Sequence, residues 1–220
     1  MNRLVVVTGP TASGKTTLAI QLARVLGTEI VSADSRQLFR DIPVGTATPA
    51  PDELAAVRHH FIAELGLEEY YSAAQYEEDV VRLLPDIFSR CGGNAVMCGG
   101  SMMYVDAVCN GIDRLPTVSA DNRRRAYGLY DEGGLSAVVS ELERVDPAYL
   151  RSAPDLMNHK RLIHALEISL EAGVPYSSLL TGEKKPRPFE IVKFAIDYPR
   201  EELFSRINRR VEEMMDNGLI

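Results

Sequence analysis

Residues 4–16 read LVVVTGPTASGKT, and this stretch decides the fold. Leu4 to Thr8 is a short apolar run rich in β-branched residues, the pattern of a buried strand. Residues 9–16, GPTASGKT, satisfy G-x-x-x-x-G-K-[ST] at every fixed position. Residues 15–26 then carry Leu18, Leu22, Val25 and Leu26 at helical spacing and stop at Gly27. Between a strand and a helix, the backbone N–H groups of such a loop point inward, and the helix N-terminus adds partial positive charge. Lys15 is placed to reach a terminal phosphate, and the Thr16 hydroxyl to ligate Mg2+. Gly9, Pro10, Thr11, Ala12, Ser13, Gly14, Lys15 and Thr16 are therefore the predicted phosphate- or diphosphate-binding residues. A chance match in a chain this long has odds of roughly one in a hundred.

Working outward, residues 29–33 form a second predicted strand with Asp34 at its carboxyl end, which opens a parallel α/β sheet. Residues 35–51 are polar and punctuated by Pro43, Gly45, Pro49 and Pro51, a long loop where such sheets build their sites. Residues 58–62 read as a short strand. Residues 72–88 read as a helix capped by Ser72 with Gln75 in the capping-box position, and Pro85 is expected to kink it or end it early. Residues 94–98 are a third strand, closed by Gly99-Gly100 before a helix over 101–109.

From about residue 116 the texture changes. Arg123 to Arg125 open a polar helical region that Gly133-Gly134 breaks, and helices follow over 135–145 and 158–172. Residues 181–188 are basic and proline-rich, a mobile-looking loop. Residues 189–196 alternate like a strand, and 200–216 read as a helix with Leu203, Ile207, Val211 and Met214 on one side. The predicted fold class is α/β: a P-loop NTPase-like parallel sheet flanked by helices, with a mainly helical insertion domain. The core takes residues 1–115 plus 189–220, and the insertion 116–188.

The chain has 220 residues, 24 Lys+Arg against 31 Asp+Glu and a net charge of -7, with 45% hydrophobic and 25% charged residues. That composition excludes a disordered, collagen-like or coiled-coil protein. The acid excess argues against nucleic-acid binding by bulk positive charge, but not against a local basic groove. Basic groups cluster at Arg123 to Arg125, Lys160-Arg161, Lys184 to Arg187 and Arg206 to Arg210. Cys91, Cys98 and Cys109 sit in or beside apolar runs and read as buried thiols of a reducing compartment, with no CxxC or Cys/His zinc pattern. No long apolar segment opens the chain, so it reads as cytoplasmic and without a membrane partner.

The loop alone does not say what the phosphate belongs to. Enzymes that split ATP on such loops use a strand ending in Asp for Mg2+, whereas here the third strand ends Val96-Met97-Cys98-Gly99-Gly100. Asp34 is the carboxylate at a strand end. It could ligate Mg2+ through water, accept a proton from a substrate, or simply cap the following turn. A small-molecule kinase using ATP is one alternative, and a phosphate-binding regulatory module another. His59 and His60 could contact RNA or help shape a site, though such a pair is more often a local hydrogen-bonding feature, and Glu77-Glu78-Asp79 reads as a solvated helix face. Tyr70, Tyr71 and Tyr76 suit either base stacking or partial burial. Lys184-Lys185-Pro186-Arg187 fits either a phosphate-backbone contact or an ordinary polar loop.

GPTASGKT, then SADSRQLFRDIPVGTATP from Ser32, Arg58-His59-His60 and Tyr71-Ser72 resemble the tRNA dimethylallyltransferases, or isopentenyl-tRNA transferases. So do Cys98-Gly99-Gly100-Ser101-Met102-Met103-Tyr104, Lys160-Arg161-Leu162 with Ala165-Leu166-Glu167, and Arg206-Ile207-Asn208-Arg209-Arg210-Val211. The resemblance runs over residues 5–220. It implies transfer of the dimethylallyl group of dimethylallyl diphosphate to N6 of adenine 37, beside the tRNA anticodon, with diphosphate leaving. The phosphate loop is then expected to hold that diphosphate, with Mg2+, in place of ATP.

Carried over by this resemblance, Asp34 is the expected general base, Thr11 a hydroxyl near the reacting centre, and Arg210 the arginine on the diphosphate, with Arg206 beside it. Asp34, Ser35, Arg36 and Gln37 are expected to hold the target adenine. Ser101 stands where the family has Thr after Gly-Gly, keeping the hydroxyl. Arg123 and the segment Lys160, Arg161, Leu162, Ile163 and His164 are expected to contact tRNA, although the family often has Arg at His164. The expected partners are the anticodon stem-loop of tRNA and dimethylallyl diphosphate, met by a monomer. Relatives typically continue through further helices that would grip the stem-loop, so the C-terminal part of the family is expected to be missing here.

Overall fold

The computed structural model of the chain describes residues 1–153 and 155–219. In chain order its elements begin with β1 (Arg3–Thr8), α1 (Lys15–Leu26), β2 (Ile30–Ser32), α2 (Pro43–Thr46), α3 (Pro51–Ala56) and β3 (His59–His60). Then come α4 (Ala73–Arg90), β4 (Asn94–Cys98), α5 (Met102–Asn110), α6 (Ala120–Val145), α7 (Pro147–Ser152), α8 (His159–Ala172) and α9 (Tyr176–Leu179). β5 (Glu190–Ala195) and α10 (Arg200–Asp216) close the sequence. The chain divides into two compact units, Met1–Ile112 with Lys184–Ile220, and Asp113–Glu183.

In the first unit the five strands lie in the order β3-β2-β4-β1-β5, all parallel. This is the α/β sheet flanked by helices that the strand-loop-helix opening predicts. Register places Val7 and Ser32 on either side of Cys98, so β1, β2 and β4 deliver their following loops to one edge. Sheets of this kind bind ligands at that carboxyl edge.

Alternation splits β1 between two cores. Leu4 and Val6 pack with Tyr76, Val80, Leu84 and Ile87 of α4 and with Val105 and Val108 of α5. Val5 and Val7 pack with Ala19, Ile20 and Ala23 of α1. A strand buried on both faces must be apolar throughout, which is why residues 4–7 show no polar position.

Two expectations for α4 are corrected. The helix continues through Pro85 to Arg90, because Leu84, Ile87 and Phe88 are all anchored in the core around the proline and packing outweighs one lost backbone bond. Glu77 is not on a solvated face: it is 5% exposed. It accepts hydrogen bonds from Arg187 Nη2 at 2.6 Å and Lys185 Nζ at 3.0 Å. Arg187 also donates to the Val108 and Ala107 carbonyls at 2.7 and 2.9 Å, and Lys185 N donates to Asn110 O at 2.8 Å. Two cations of the basic segment are therefore spent inside the first unit, and that stretch is pinned. Ser72 and Gln75 form the expected capping box. Tyr76 is fully buried, with its hydroxyl on the Ser32 carbonyl at 2.6 Å.

In the second unit, Gly134 breaks α6 with φ 65° and ψ −161°. Its core joins Ala126, Val138 and Leu142 to Leu162, Ile163 and Leu166. In the first unit, α10 buries no residue completely, and Val211 of its expected apolar side is 47% exposed.

Candidate active site

At the carboxyl edge of the sheet lies a cavity of about 300 Å³ lined by Gly9, Pro10, Thr11, Lys15, Thr16, Asp34, Gln37, Ala47, Cys98, Gly99, Gly100, Ser101 and Arg210. Residues predicted separately from the phosphate loop, the Asp34 segment, the Gly-Gly segment and the last helix thus share one space. Every one of them belongs to the first unit.

The phosphate loop turns back on itself at Ala12 and Gly14, with φ 60° and 80°, and then enters α1. A side chain at Gly9 would meet the Ile196 carbonyl at 2.8 Å, so the loop can lie against the end of β5 only with glycine there. Lys15 Nζ donates to the Pro10 carbonyl at 2.6 Å. Burial pulls its ammonium below the ordinary lysine range; Cys98 and Asp34 oppose that pull and Arg210 adds to it. Ser13 is buried, and its Oγ has no protein partner among the described residues.

Asp34 follows β2. Its Oδ1 accepts from the backbone N–H of Arg36 at 2.9 Å and of Gln37 at 3.3 Å. It does cap its turn, through that one oxygen. Gly99 locks this turn to the end of β4: a Cβ there would collide with the Ala33 carbonyl. Ser101 N donates to that carbonyl at 3.0 Å. Ser101 Oγ accepts from Ser35 N at 2.8 Å and donates to Ser35 Oγ at 3.0 Å. The hydroxyl expected at RNA is thus engaged in shaping the Asp34 turn. Arg36 is exposed.

Arg210 donates from Nη1 to Thr11 Oγ1 at 2.8 Å and from Nη2 to the Thr46 carbonyl at 3.3 Å. Gln37 Nε2 donates to the Thr46 and Ala47 carbonyls at 3.3 and 3.0 Å. Arg206, expected beside Arg210, lies elsewhere: its Nε donates to Glu202 at 3.2 Å, and its guanidinium lies 4.3 Å from the Tyr198 ring centre. One helical turn separates the two arginines, and only Arg210 lines the cavity.

Sequence reasoning missed Ala47 and Cys98 as lining residues. Nothing in the residue type marks Ala47; it is exposed to the site by a left-handed turn, φ 44°. Cys98 is the last residue of β4, a position that only sheet order brings beside Lys15. Burial, partly offset by Lys15, pushes its thiol up to about 12, so it is a neutral lining group and no nucleophile. His59 and His60 act locally, His59 Nδ1 on the Val57 carbonyl at 2.8 Å and His60 Nε2 on Glu29 at 2.6 Å.

In the second unit, Arg123 pairs with Glu167 at 3.4 Å and stays half exposed. Lys160, Arg161 and His164 are exposed on α8. Leu162 and Ile163, expected among the RNA contacts, are 0% and 1% exposed and pack in the core of that unit. Helical periodicity accounts for both sets: the apolar stripe faces inward and the charged residues outward. Among the described residues no three His, Cys, Asp or Glu side chains group to hold a metal, and no helix is long and apolar enough to cross a membrane.

Comparison with known proteins agrees with this architecture. The family described as IPP transferase matches residues 37–220. A tRNA dimethylallyltransferase 2 of Parabacteroides distasonis is 47% identical over the whole chain, which spans 73% of that protein. A tRNA dimethylallyltransferase 1 of Bacteroides thetaiotaomicron is 49% identical over the whole chain, which spans 71% of its length. The crystal structure of the full-length tRNA isopentenylpyrophosphate transferase of Bacillus halodurans superposes with TM-score 0.63 at 32% identity, covering all of this chain and 68% of that one. A match over most of the chain, together with relatives near half identity, decides the matter: the chain belongs to the IPP transferase family.

Proposed function

We propose that the chain is a prenyltransferase that moves the dimethylallyl group of dimethylallyl diphosphate to N6 of adenine 37 of tRNA, releasing diphosphate. The observation that carries this reading is the shared cavity in which Asp34 faces a phosphate loop, Thr11 and Arg210. The new bond joins N6 to the terminal allylic carbon. The bond from that carbon to the diphosphate oxygen breaks, and the amine proton passes to Asp34.

An exocyclic adenine amine is a weak nucleophile, so orientation and proton removal dominate the barrier. Asp34 is fit for both. Its Oδ1 is tethered to two backbone N–H groups, which fixes the carboxylate while the other oxygen takes the proton. Negative charge grows on the departing diphosphate, where the loop N–H groups of residues 11–16, Lys15 and Arg210 would receive it.

Mg2+ suits the same place. It is commonly bound by few protein ligands plus substrate phosphates and water, and Thr16 lines the cavity beside the phosphate loop. Thr16 would supply the protein oxygen, and the ion would neutralise diphosphate charge.

The Asp34–Gln37 segment and Ser101 shape the adenine pocket in this reading. Arg123, Lys160, Arg161 and His164 offer exposed donors to the RNA backbone from the helical unit of residues 113–183. A loop base costs less to unstack than a paired one, which suits a nucleotide beside the anticodon. A tRNA substrate favours the cytoplasm. Incubation with dimethylallyl diphosphate, Mg2+ and unmodified tRNA, followed by mass analysis of the adenine beside the anticodon, tests the proposal. A gain of one dimethylallyl group on that adenine is expected. An unmodified adenine, with ATP turned over on a small acceptor instead, would overturn it.

A further inference from the structure

Gln37 lies on the adenine side of the cavity in the reading above, three residues after Asp34. Its side-chain amide, however, is committed elsewhere. Nε2 donates to the carbonyls of Thr46 and Ala47 at 3.3 and 3.0 Å. The Thr46 carbonyl is also the acceptor for Arg210 Nη2 at 3.3 Å. Arg210 then reaches the phosphate loop through Nη1 and Thr11 Oγ1 at 2.8 Å. One carbonyl oxygen therefore joins the two halves of the site.

The turn carrying that carbonyl is not relaxed. Ala47 sits at φ 44° and ψ 57°, a left-handed conformation that residues with a Cβ seldom hold unless their surroundings fix it. The turn has its own bonds, Ala47 N to Val44 O at 3.0 Å and Thr46 Oγ1 to Ile42 O at 2.9 Å. Those bonds set its shape. Gln37 is what ties that shape to the Asp34 turn. Arg210 Nε is buried without a protein partner among the described residues, so the guanidinium depends on its two terminal nitrogens for orientation.

We infer that Gln37 is a positioning residue for the diphosphate half of the reaction: by holding the 46–47 turn it aims Arg210, and so sets diphosphate affinity without touching the diphosphate. The inference rests on the reading of Arg210 as the diphosphate arginine.

Inorganic pyrophosphate with Mg2+ is titrated calorimetrically into the chain with no RNA present. Gln37→Met keeps the volume and removes the donor. It is expected to weaken pyrophosphate binding by about 3- to 10-fold, the effect of one or two hydrogen bonds acting at second hand. In combination with Arg210→Lys its effect is expected to shrink, because both variants loosen the same guanidinium. Thermal unfolding monitors the fold. If Gln37→Met does not fold, Gln37→Asn, which keeps the amide one methylene short, takes its place with the same expectation.

Unchanged pyrophosphate affinity, with the loss confined to the KM for tRNA, would make Gln37 an adenine contact and overturn the inference alone. Unchanged affinity in Arg210→Ala as well would overturn the inference together with the reading beneath it.

Discussion

Arg210 Nη1 lies 2.8 Å from Thr11 Oγ1, so a residue of α10 bonds to a loop formed near the start of the chain. The pairing spans 199 residues and leaves a full positive charge at the phosphate loop, where Lys15 already stands. Two cations held this close repel each other, and each contributes to lowering the cost of bringing in a dianion or trianion. Such an arrangement suits an anionic ligand, as the proposed function requires.

Arg210→Ala removes both the charge and the two hydrogen bonds. The expected loss is roughly 10²- to 10³-fold in kcat/KM, the scale for removing one group that stabilises transition-state charge. Arg210→Lys restores charge but not the fork, and is expected to recover only part of that loss. Steady-state kinetics with saturating tRNA decide it; equal activity for the alanine variant and the parent would remove Arg210 from the mechanism.

Asp34→Asn separates two duties of one side chain. The amide oxygen can still accept from Arg36 N and Gln37 N, so the turn is kept, while the capacity to take a proton is gone. Transfer is expected to slow by roughly 10²- to 10⁴-fold, the usual contribution of general-base catalysis, with pyrophosphate affinity unchanged. Single-turnover rates and calorimetry on the same preparation give both values. A variant that transfers at the parent rate would exclude Asp34 as the base.

Much of this site could be read before any fold was known, because the signals were local. GPTASGKT needs only backbone and one helix N-terminus, and Asp34 follows a run of apolar residues whose strand character is plain. Other features depend on tertiary placement. Arg206 and Arg210 lie one turn apart, and only the packing of α10 decides that Arg210 enters the cavity while Arg206 stacks on Tyr198. Glu77 looked like one of three solvated acids, because its partners Lys185 and Arg187 lie 108 and 110 residues away. Pro85 broke a local rule that the buried stripe of α4 overrode. Ala47 carries no chemical signal at all.

Lys15 gives a pH test. Burial lowers its pKa below the model-peptide value of 10.5. An anion binds the ammonium form better than the amine. Pyrophosphate affinity should therefore be flat at low pH and fall as pH rises through the Lys15 pKa of the free chain, at a value under 10.5. Lys15→Met should bind weakly and show no such fall. Titrations between pH 7 and 10.5, in a buffer range where pyrophosphate ionisation is corrected for, provide the comparison. The same decline in Lys15→Met would assign it to another group.

Glu77 supplies the clearest stability prediction. Its carboxylate and Arg187 are both nearly buried, 7% and 8% exposed at the side chain, while Lys185 remains 41% exposed. Glu77→Gln preserves shape and one acceptor oxygen but leaves Arg187 buried without its counter-charge. Breaking a buried pair from one side costs about 3 kcal/mol or more, and most of that falls on Arg187, since water screens Lys185. The pH dependence has a definite sign. Burial raises the Glu77 carboxyl, but hydrogen bonds from Arg187 and then Lys185 overcome it, and the net direction is down from 4.5. The unfolded chain therefore binds the proton first, and the carboxylate's contribution is complete above pH 4.5 and lost as pH falls through the folded value. Denaturant unfolding at pH 7 should show the parent more stable than Glu77→Gln, and the gap should narrow on acidification below pH 4.5. A gap at pH 7 under about 1 kcal/mol, the worth of an exposed pair, would show that Glu77 and Arg187 are solvated and that the basic segment is not held by this clamp.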